Sequence, residues 1–388
     1  MLWKLTLKAN LKVIFAATLI ALLTAAGLTF MGDKSRATEW RPGTPLAKER
    51  LKIGVIHVSD VKNTLSGYAY AHDIGINAAR TELGLKYDQI IRKFNVSDTN
   101  FAATEHAMRE CVMAGVNVII ATSWNHMGIC EKLAKEYPGV LFAHGSGIRR
   151  NETNFTNYFG RIYQPRYLSG IVAGMKTVTG KIGYVAAMGK DNSEVTSGLN
   201  AFALGVESVN PNARVYVKVT HRWYDPPGEK AAAQALIEKG CDVIAQHTNT
   251  PAPQIEAQSA GVWGVGYNSD MKNEAPNAVL TSVVWNWGVY YARLMNSVVD
   301  GSFNTAPYLG DLDDGIVGLT PLDESLSPPG AAEAVAAMEK RIRRGEFDVF
   351  EGVMETDDGR FVGREGARLS YEEISSAVNW YYRNVIEL

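Results

Sequence analysis

The 388-residue chain predicts an α/β fold of two Rossmann-like lobes, each an open parallel sheet, with a ligand cleft between the lobes. Three observations predict it. From residue 51 onward, short runs rich in Val and Ile alternate with helix-like stretches. A βαβ pattern then repeats once along the chain, and the segments after the strands carry many aromatic and amide side chains. Strands that read as continuous apolar runs belong to parallel sheets covered on both faces. Their alternation with helices makes βαβ units.

At the N-terminus, Lys4, Lys8 and Lys12 precede the apolar run "VIFAATLIALLTAAGLTF" (13–30), and "SRA" stands before Thr38. That is the pattern of an export signal, so 1–37 is expected to be a signal peptide (or a membrane anchor) and 38–50 a linker. No cysteine directly follows the run, which leaves no site for a lipid anchor. Strands are expected at 51–58, 90–96, 116–123, 140–147, 181–188, 213–220, 241–248, 262–268 and 278–285. The stretches "TEHAMRECVMAG" (104–115) and "GEKAAAQALIEKG" (228–240) suit helices, each ending on a glycine that can take the left-handed conformation.

The repeat sets the lobes. "KIGV" (52–55) returns as "KIGY" (181–184), and about 60 residues after each comes a second match, "AGVNVIIATS" (114–123) and "KGCDVIAQHT" (239–248). Gly115 then pairs with Gly240, Asn117 with Asp242, Val118 with Val243 and Ile119 with Ile244. The expected division is an N-terminal lobe over 51–165, with part of the C-terminal region returning to it, and a C-terminal lobe over 166–305. The tail, 306–388, contains a helix in "SPPGAAEAVAAMEKRIRRGEF" and a hairpin turn at "DDGR", and is expected to pack on the lobes as an extension.

Composition narrows the function. A net charge of −2 lacks the basic face a nucleic-acid binder needs, and 46% hydrophobic residues are typical of a folded globular protein. Cys111, Cys130 and Cys241 show no metal spacing and no CxxC pair, so they read as small buried residues, with a Cys111–Cys130 bridge left open. The histidines form no HxH or HExxH. The chain carries no GxSxG, no Walker loop and no GxGxxG after a strand. The sequence therefore predicts a binding protein with no cofactor, no metal and no catalysis.

Ligands of open parallel sheets bind beyond the carboxyl ends of the strands. There the sequence places Trp124 in "SWN", Trp223 and Tyr224 in "HRWYDP", Asn249 in "HTNT", Asn268 and Asp270 in "YNSD", and Trp285 and Trp287 in "WNW". Flat rings stack on a flat ligand, and carboxamides read its edge through paired donors and acceptors. That combination suits a heteroaromatic base. His72, in "GYAYAHD", reads as the maker of a structural hydrogen bond.

With these residues in view, the chain resembles the basic membrane protein (Bmp) family of ABC-transporter substrate-binding proteins, whose members resemble type I periplasmic binding proteins. The likeness runs from about residue 51 to the C-terminus. It rests on "GYAYAHDIG" (67–75), "NYFGRIYQPRYLSGIVAG" (157–174), "LNAFALGVESVNP" (199–211), "WYDPPGEKAAAQALIEKGCDVIAQHT" (223–248), "GYNSDM" (266–271) and "LTSVVWNWGVYY" (280–291). The resemblance implies an extracytoplasmic, periplasmic receptor, a monomer, that binds a purine nucleobase or nucleoside and delivers it to an ABC permease in the membrane.

The same resemblance assigns site residues. Tyr68 takes the place of an aromatic, often Trp, that stacks on the base, and Trp223 or Tyr224 takes the place of a second stacking ring. Asn249 stands where an aspartate is common. Asn268 replaces an acid that holds the ribose in that family, Asp270 keeps a second acid, and Trp285 replaces a lysine that also contacts the ribose. Losing a carboxylate and an ammonium removes the groups suited to a sugar diol, so a free base such as adenine, hypoxanthine or guanine is expected over a nucleoside. On this reading Trp285 is a pocket wall and Trp287 a packing residue. The rival readings are a ligand-sensing lobe for a membrane signalling partner and a nucleoside-hydrolysing enzyme.

Overall fold

Two parallel sheets organise the chain. The computed structural model describes residues 40–62 and 66–388; the expected signal peptide lies outside the described residues. The first βαβ run is β1 (Ile53–Ile56), α1 (Tyr68–Leu83), β2 (Ile90–Lys93), α2 (Phe101–Met113), β3 (Val118–Ala121), α3 (Met127–Glu136), β4 (Leu141–Gly145) and β5 (Phe155–Gly160). The second is α4 (Tyr163–Lys176), β6 (Lys181–Ala186), α5 (Ser193–Val209), β7 (Arg214–Val219), α6 (Pro226–Glu238), β8 (Val243–His247), α7 (Ala252–Ser259), β9 (Trp263–Asn268) and β10 (Val279–Trp285). The chain continues with α8 (Gly288–Asp300), β11 (Tyr308–Gly310), β12 (Val317–Leu319), α9 (Ala331–Arg343), β13 (Glu351–Glu355), β14 (Phe361–Arg368), α10 (Tyr371–Ser376) and β15 (Val385–Glu387). The first sheet has the order β11-β5-β4-β3-β1-β2, the second β12-β10-β9-β8-β6-β7-β15. All nine strands expected from the apolar runs form. The sequence reading passed over β5, whose "FTNYFG" is half polar yet almost wholly buried.

The internal repeat is a structural one. Ile53 pairs with Val118 and Gly54 with Ile119 in the first sheet; Ile182 pairs with Val243 and Gly183 with Ile244 in the second. Both repeat glycines make room for the helix behind the strand. A Cβ on Gly54 would meet the Cys111 side chain at 2.9 Å, and one on Gly183 would meet Leu236 Cβ at 3.0 Å. Gly115 and Gly240 end the matching helices at φ +80° and +91°, a region that other residues reach only with strain. Asn117 and Asp242 do the same work ahead of β3 and β8. Asn117 Oδ1 accepts the Lys52 N–H at 2.9 Å, and the Asp242 carboxylate accepts the Val178 and Thr179 N–H groups at 2.7 and 3.0 Å. Cys111, Cys130 and Cys241 are free and buried, so the open question of a Cys111–Cys130 bridge closes against it.

Among the described residues the chain passes between the sheets three times, at 160–163, 285–288 and 310–317. This changes the lobe boundaries read from the sequence. Residues 288–300, placed by chain order in the second lobe, form α8 and pack on α1 of the first, where a Cβ on Gly75 would lie 2.7 Å from Gly288 N. β11 adds in parallel beside β5. The physical reason is that a helix face and a sheet edge take whichever partner buries them, irrespective of chain order. The tail is likewise more than an outer layer, because β12 and β15 form the two edges of the second sheet. Asn200 on α5 holds it, donating to Trp380 O and accepting from Tyr382 N–H, both at 2.8 Å.

α4 and α5 approach through glycines. A Cβ on Gly170 would stand 2.1 Å from Phe202 O, and one on Gly205 2.0 Å from Tyr167 O. Gly170→Ala is therefore expected to destabilise the protein by roughly 1–3 kcal/mol through overpacking. Urea unfolding measures this, and an unchanged midpoint would contradict the close helix contact.

Candidate functional site

The carboxyl ends of the two sheets face each other across a column of stacked rings. Helix α1 begins at Gly67, whose φ of +96° lets the chain turn sharply after the β1 loop. Its first turn places Tyr68 and, one turn on, His72. The edge of Tyr68 meets His72 at 4.4 Å, and the Tyr68 hydroxyl donates to Thr122 O at the end of β3. His72 stacks flat on Trp287 at 4.4 Å, and Trp287 stacks flat on Trp285 at 4.4 Å with only 6° between planes. Phe159 of β5 flanks the pair, tilted against Trp285 at 4.8 Å and Trp287 at 6.4 Å. The indole N–H of Trp285 donates to Tyr267 Oη at 3.1 Å, and over the Tyr267 ring lies the guanidinium of Arg166, 4.0 Å away.

A second set of groups comes from the loops after β8 and β9. Gln246 ties its own loop together, donating through Nε2 to Thr250 O at 2.7 Å. Glu229 accepts from the Thr250 hydroxyl at 2.7 Å and from Asp225 N–H at 3.0 Å. Asp225, with Pro226 at the first helical position, caps α6; the "DP" pair has a structural role. This scaffold holds Asn249, whose Oδ1 accepts from Asn268 Nδ2 at 3.0 Å. Asn268 sits in the left-handed region at φ +70°, which Asn tolerates better than most residues. The lobes touch here. Gly67 N–H donates to Ser269 Oγ at 3.1 Å, and a Cβ on Gly67 would collide with Asn249 O at 2.5 Å.

Several buried polar atoms near this junction have no hydrogen-bond partner among the described residues: His72 Nε2, Trp287 Nε1, Asn268 Oδ1, His247 Nε2, and Arg166 Nε and Nη2. Buried polar groups normally find partners, so such a concentration marks a place built to meet something. Burial holds His72 and His247 far below the ordinary histidine range and pushes the Tyr68 phenol well up. Burial also raises the Glu194 carboxyl to about 7, against the pull of Arg166. The fields of Glu194 and Tyr267 reach Tyr68 across the junction. These neutral or weakly charged groups can stack, donate and accept.

Of the residues the sequence nominated, Tyr68, Asn249, Asn268, Trp285 and the partly buried Trp223 come together around this junction, Trp223 through its ring edge on His247 at 5.8 Å. Three do not join the buried cluster. Trp124 is 49% exposed on a short helical turn, Tyr224 is 64% exposed, and Asp270 is exposed, its carboxylate accepting the Lys272 N–H at 2.9 Å. Residues just past a strand end can turn outward as easily as inward, and only the loop path decides. The expected split between the two tryptophans also changes. Both are buried and stacked on each other, Trp285 turned to Tyr267 and Trp287 to His72. His72 does make the expected structural contact, its Nδ1 lying 2.5 Å from Tyr291 Oη. Sequence reasoning missed Arg166, Glu194 and Tyr267. The signal for Arg166 was there, a lone cation in the apolar helix "YQPRYLSGIVAG".

Comparison with known proteins fixes the family. The profile described as "ABC transporter substrate-binding protein PnrA-like", the Bmp family, matches residues 51–344. The chain belongs to the Bmp family. Among its relatives is a Haloferax volcanii protein named as a candidate ABC transporter glucose-binding protein, TsgA13, 34% identical over 87% of this chain and 81% of that one. Another is a purine-binding protein of Brucella abortus, 33% identical over 82% of this chain and 88% of that one. Solved ABC solute-binding proteins from Conexibacter woesei and Aeropyrum pernix superpose with TM-scores of 0.63 and 0.64 at 19% identity. They cover 77% of this chain and 98% and 92% of their own, and share its type I periplasmic-binding-protein fold. This Bmp-family chain is thus a substrate-binding protein of an ABC transporter.

Two outcomes follow from the geometry. Burial lowers His57 and His144 to about 4 and His126 to about 3, so each is neutral when folded and takes up a proton on unfolding below its ordinary 6.5. Stability is then whole above pH 6.5 and lost as pH falls towards 4, by about 1.4 kcal/mol per pH unit for each group. His72 and His247, also depressed by burial, add to this loss, while Glu194 and Glu229, whose values burial raises, act in the opposite sense. Melting temperatures should drop between pH 6.5 and 4.5, and less steeply in His126→Asn; a flat profile would contradict the burial of these rings. Gly67→Ala should hold the lobes apart, giving a larger radius of gyration in small-angle scattering, and should lower the melting temperature as well, because alanine is strained at φ +96°. An unchanged radius would count against Gly67 as the contact point.

Proposed function

We propose that this protein is the extracytoplasmic receptor of an importer that binds a free purine base between its lobes and delivers it to a membrane permease. The observation that carries this reading is the junction itself. A buried ring column and an amide pair meet unpartnered donors and acceptors there. Flat aromatic faces favour a flat ligand, and mixed donors and acceptors suit the edge of a heterocycle.

Trp285 supports a base over a nucleoside. An indole with 2% exposure fills the position that a ribose-binding lysine takes in the family resemblance, and its one polar atom is already used by Tyr267. Asn268 replaces the acid of the sugar subsite and spends its Nδ2 on Asn249. The purine-binding relative of Brucella abortus is consistent with this reading. Glucose, for which the Haloferax volcanii relative is named, is the rival ligand, since rings also stack on sugars. Trp124, Tyr224 and Asp270 are proposed as groups of the cleft mouth, outside the base pocket.

Isothermal titration of ligand-free protein with adenine, hypoxanthine, guanine, adenosine and glucose tests the proposal. At least one base is expected to bind more than tenfold tighter than adenosine, about 1.4 kcal/mol, and far tighter than glucose. Adenosine binding tenfold tighter than every base, or glucose alone binding, would overturn it.

A further inference from the structure

Arg166 is a wholly buried cation at the sheet ends, and among the described residues it makes no ion pair. Its role deepens the purine-base reading and rests on it. Arg166 sits in the first turn of α4, directly after the chain crosses from the first lobe. The guanidinium carbon lies 4.0 Å from the ring centre of Tyr267 of β9 and 5.7 Å from that of Tyr184 of β6. One of its donors is spent: Nη1 donates to Gln246 O at 2.6 Å. The two that are not, Nε and Nη2, lie on the same edge of the planar group, the edge that offers two parallel N–H bonds. Glu194 is the acidic group whose field reaches this cation, and burial has drawn its carboxyl towards the neutral form. A structural arginine would be expected to turn its fork to backbone carbonyls; here one prong is used and the two-pronged edge is kept free. A desolvated cation in this state is costly unless something electron-rich meets it.

We infer that the free Nε–Nη2 edge of Arg166 selects the ligand, favouring a purine base with two adjacent acceptors, a 6-oxopurine such as hypoxanthine or guanine, over adenine. The chemistry is that of any arginine fork on a purine. O6 and N7 of guanine or hypoxanthine accept both N–H bonds side by side, whereas adenine puts an N6 amino donor beside N7, so one arginine donor faces another. The Tyr267 ring at 4.0 Å and the Nη1 bond to Gln246 O hold the guanidinium in place, which makes the fork selective as well as attractive.

The full chain, freed of carried-over ligand by unfolding and refolding, is titrated with hypoxanthine, guanine and adenine as the parent, as Arg166→Lys and as Arg166→Met. The parent is expected to bind hypoxanthine and guanine at least about tenfold tighter than adenine. Arg166→Lys keeps the charge but lacks the planar fork, so the preference should shrink to within about threefold while circular dichroism stays that of the parent. If Arg166→Met fails to fold, Arg166→Lys alone decides. Adenine binding as tightly as hypoxanthine in the parent, or an unaltered preference in folded Arg166→Lys, overturns the inference and leaves the purine reading standing. Glucose binding with no purine binding removes both.

Discussion

Trp287 lies between His72 on one side and Trp285 on the other, each 4.4 Å away and nearly parallel, at the place where the chain leaves β10 for the first lobe. The rest of the cleft depends on this stack. It joins a helix of the first lobe to a strand of the second through three flat groups with little freedom to slide past one another. Offset stacking adds to the large apolar area that each indole removes from water. Once the stack is in place, the indole N–H of Trp285 meets Tyr267, which in turn offers its face to Arg166. A single packing arrangement thus sets the orientation of the polar groups around it.

The polar groups give the site its character. Histidines at the ends of β1, β4 and β8 are held neutral by burial, and Glu194 is drawn towards neutrality in the same way. Arg166 carries a guanidinium into the interior, wholly buried. Such an environment has a low local dielectric, where an unpaired polar group is expensive and a matched one is strong. A receptor that must hold a small molecule and later release it can use both properties.

The contact between the lobes rests on small residues. Gly67 donates its N–H to Ser269 of the other lobe and comes so near to Asn249 O that no side chain would fit. The paired glycines Gly75 and Gly288 let α8 return to the first lobe, which ties the lobes through three crossings instead of one.

The fold class, the two-lobe repeat and the family were legible along the chain, because each depends on local periodicity and on short-range matches. A run such as "LKIGVIHV" is apolar on both faces wherever it folds, and Gly115 and Gly240 are glycines for reasons settled within one turn. Asn249 and Asn268 were within reach one by one, since strand ends can be counted, whereas Tyr68 came from the family resemblance and meets His72 edge-on. Three things could be decided only by tertiary structure. Trp124, Tyr224 and Asp270 turn outward, Trp285 and Trp287 share one stack, and Arg166 meets Tyr267 from a helix that reads as core. A sequence states what a residue can do and roughly where along the chain it lies. Which way a side chain faces, and which distant group it meets, depends on how two separately formed sheets pack against each other, and no local pattern encodes that packing.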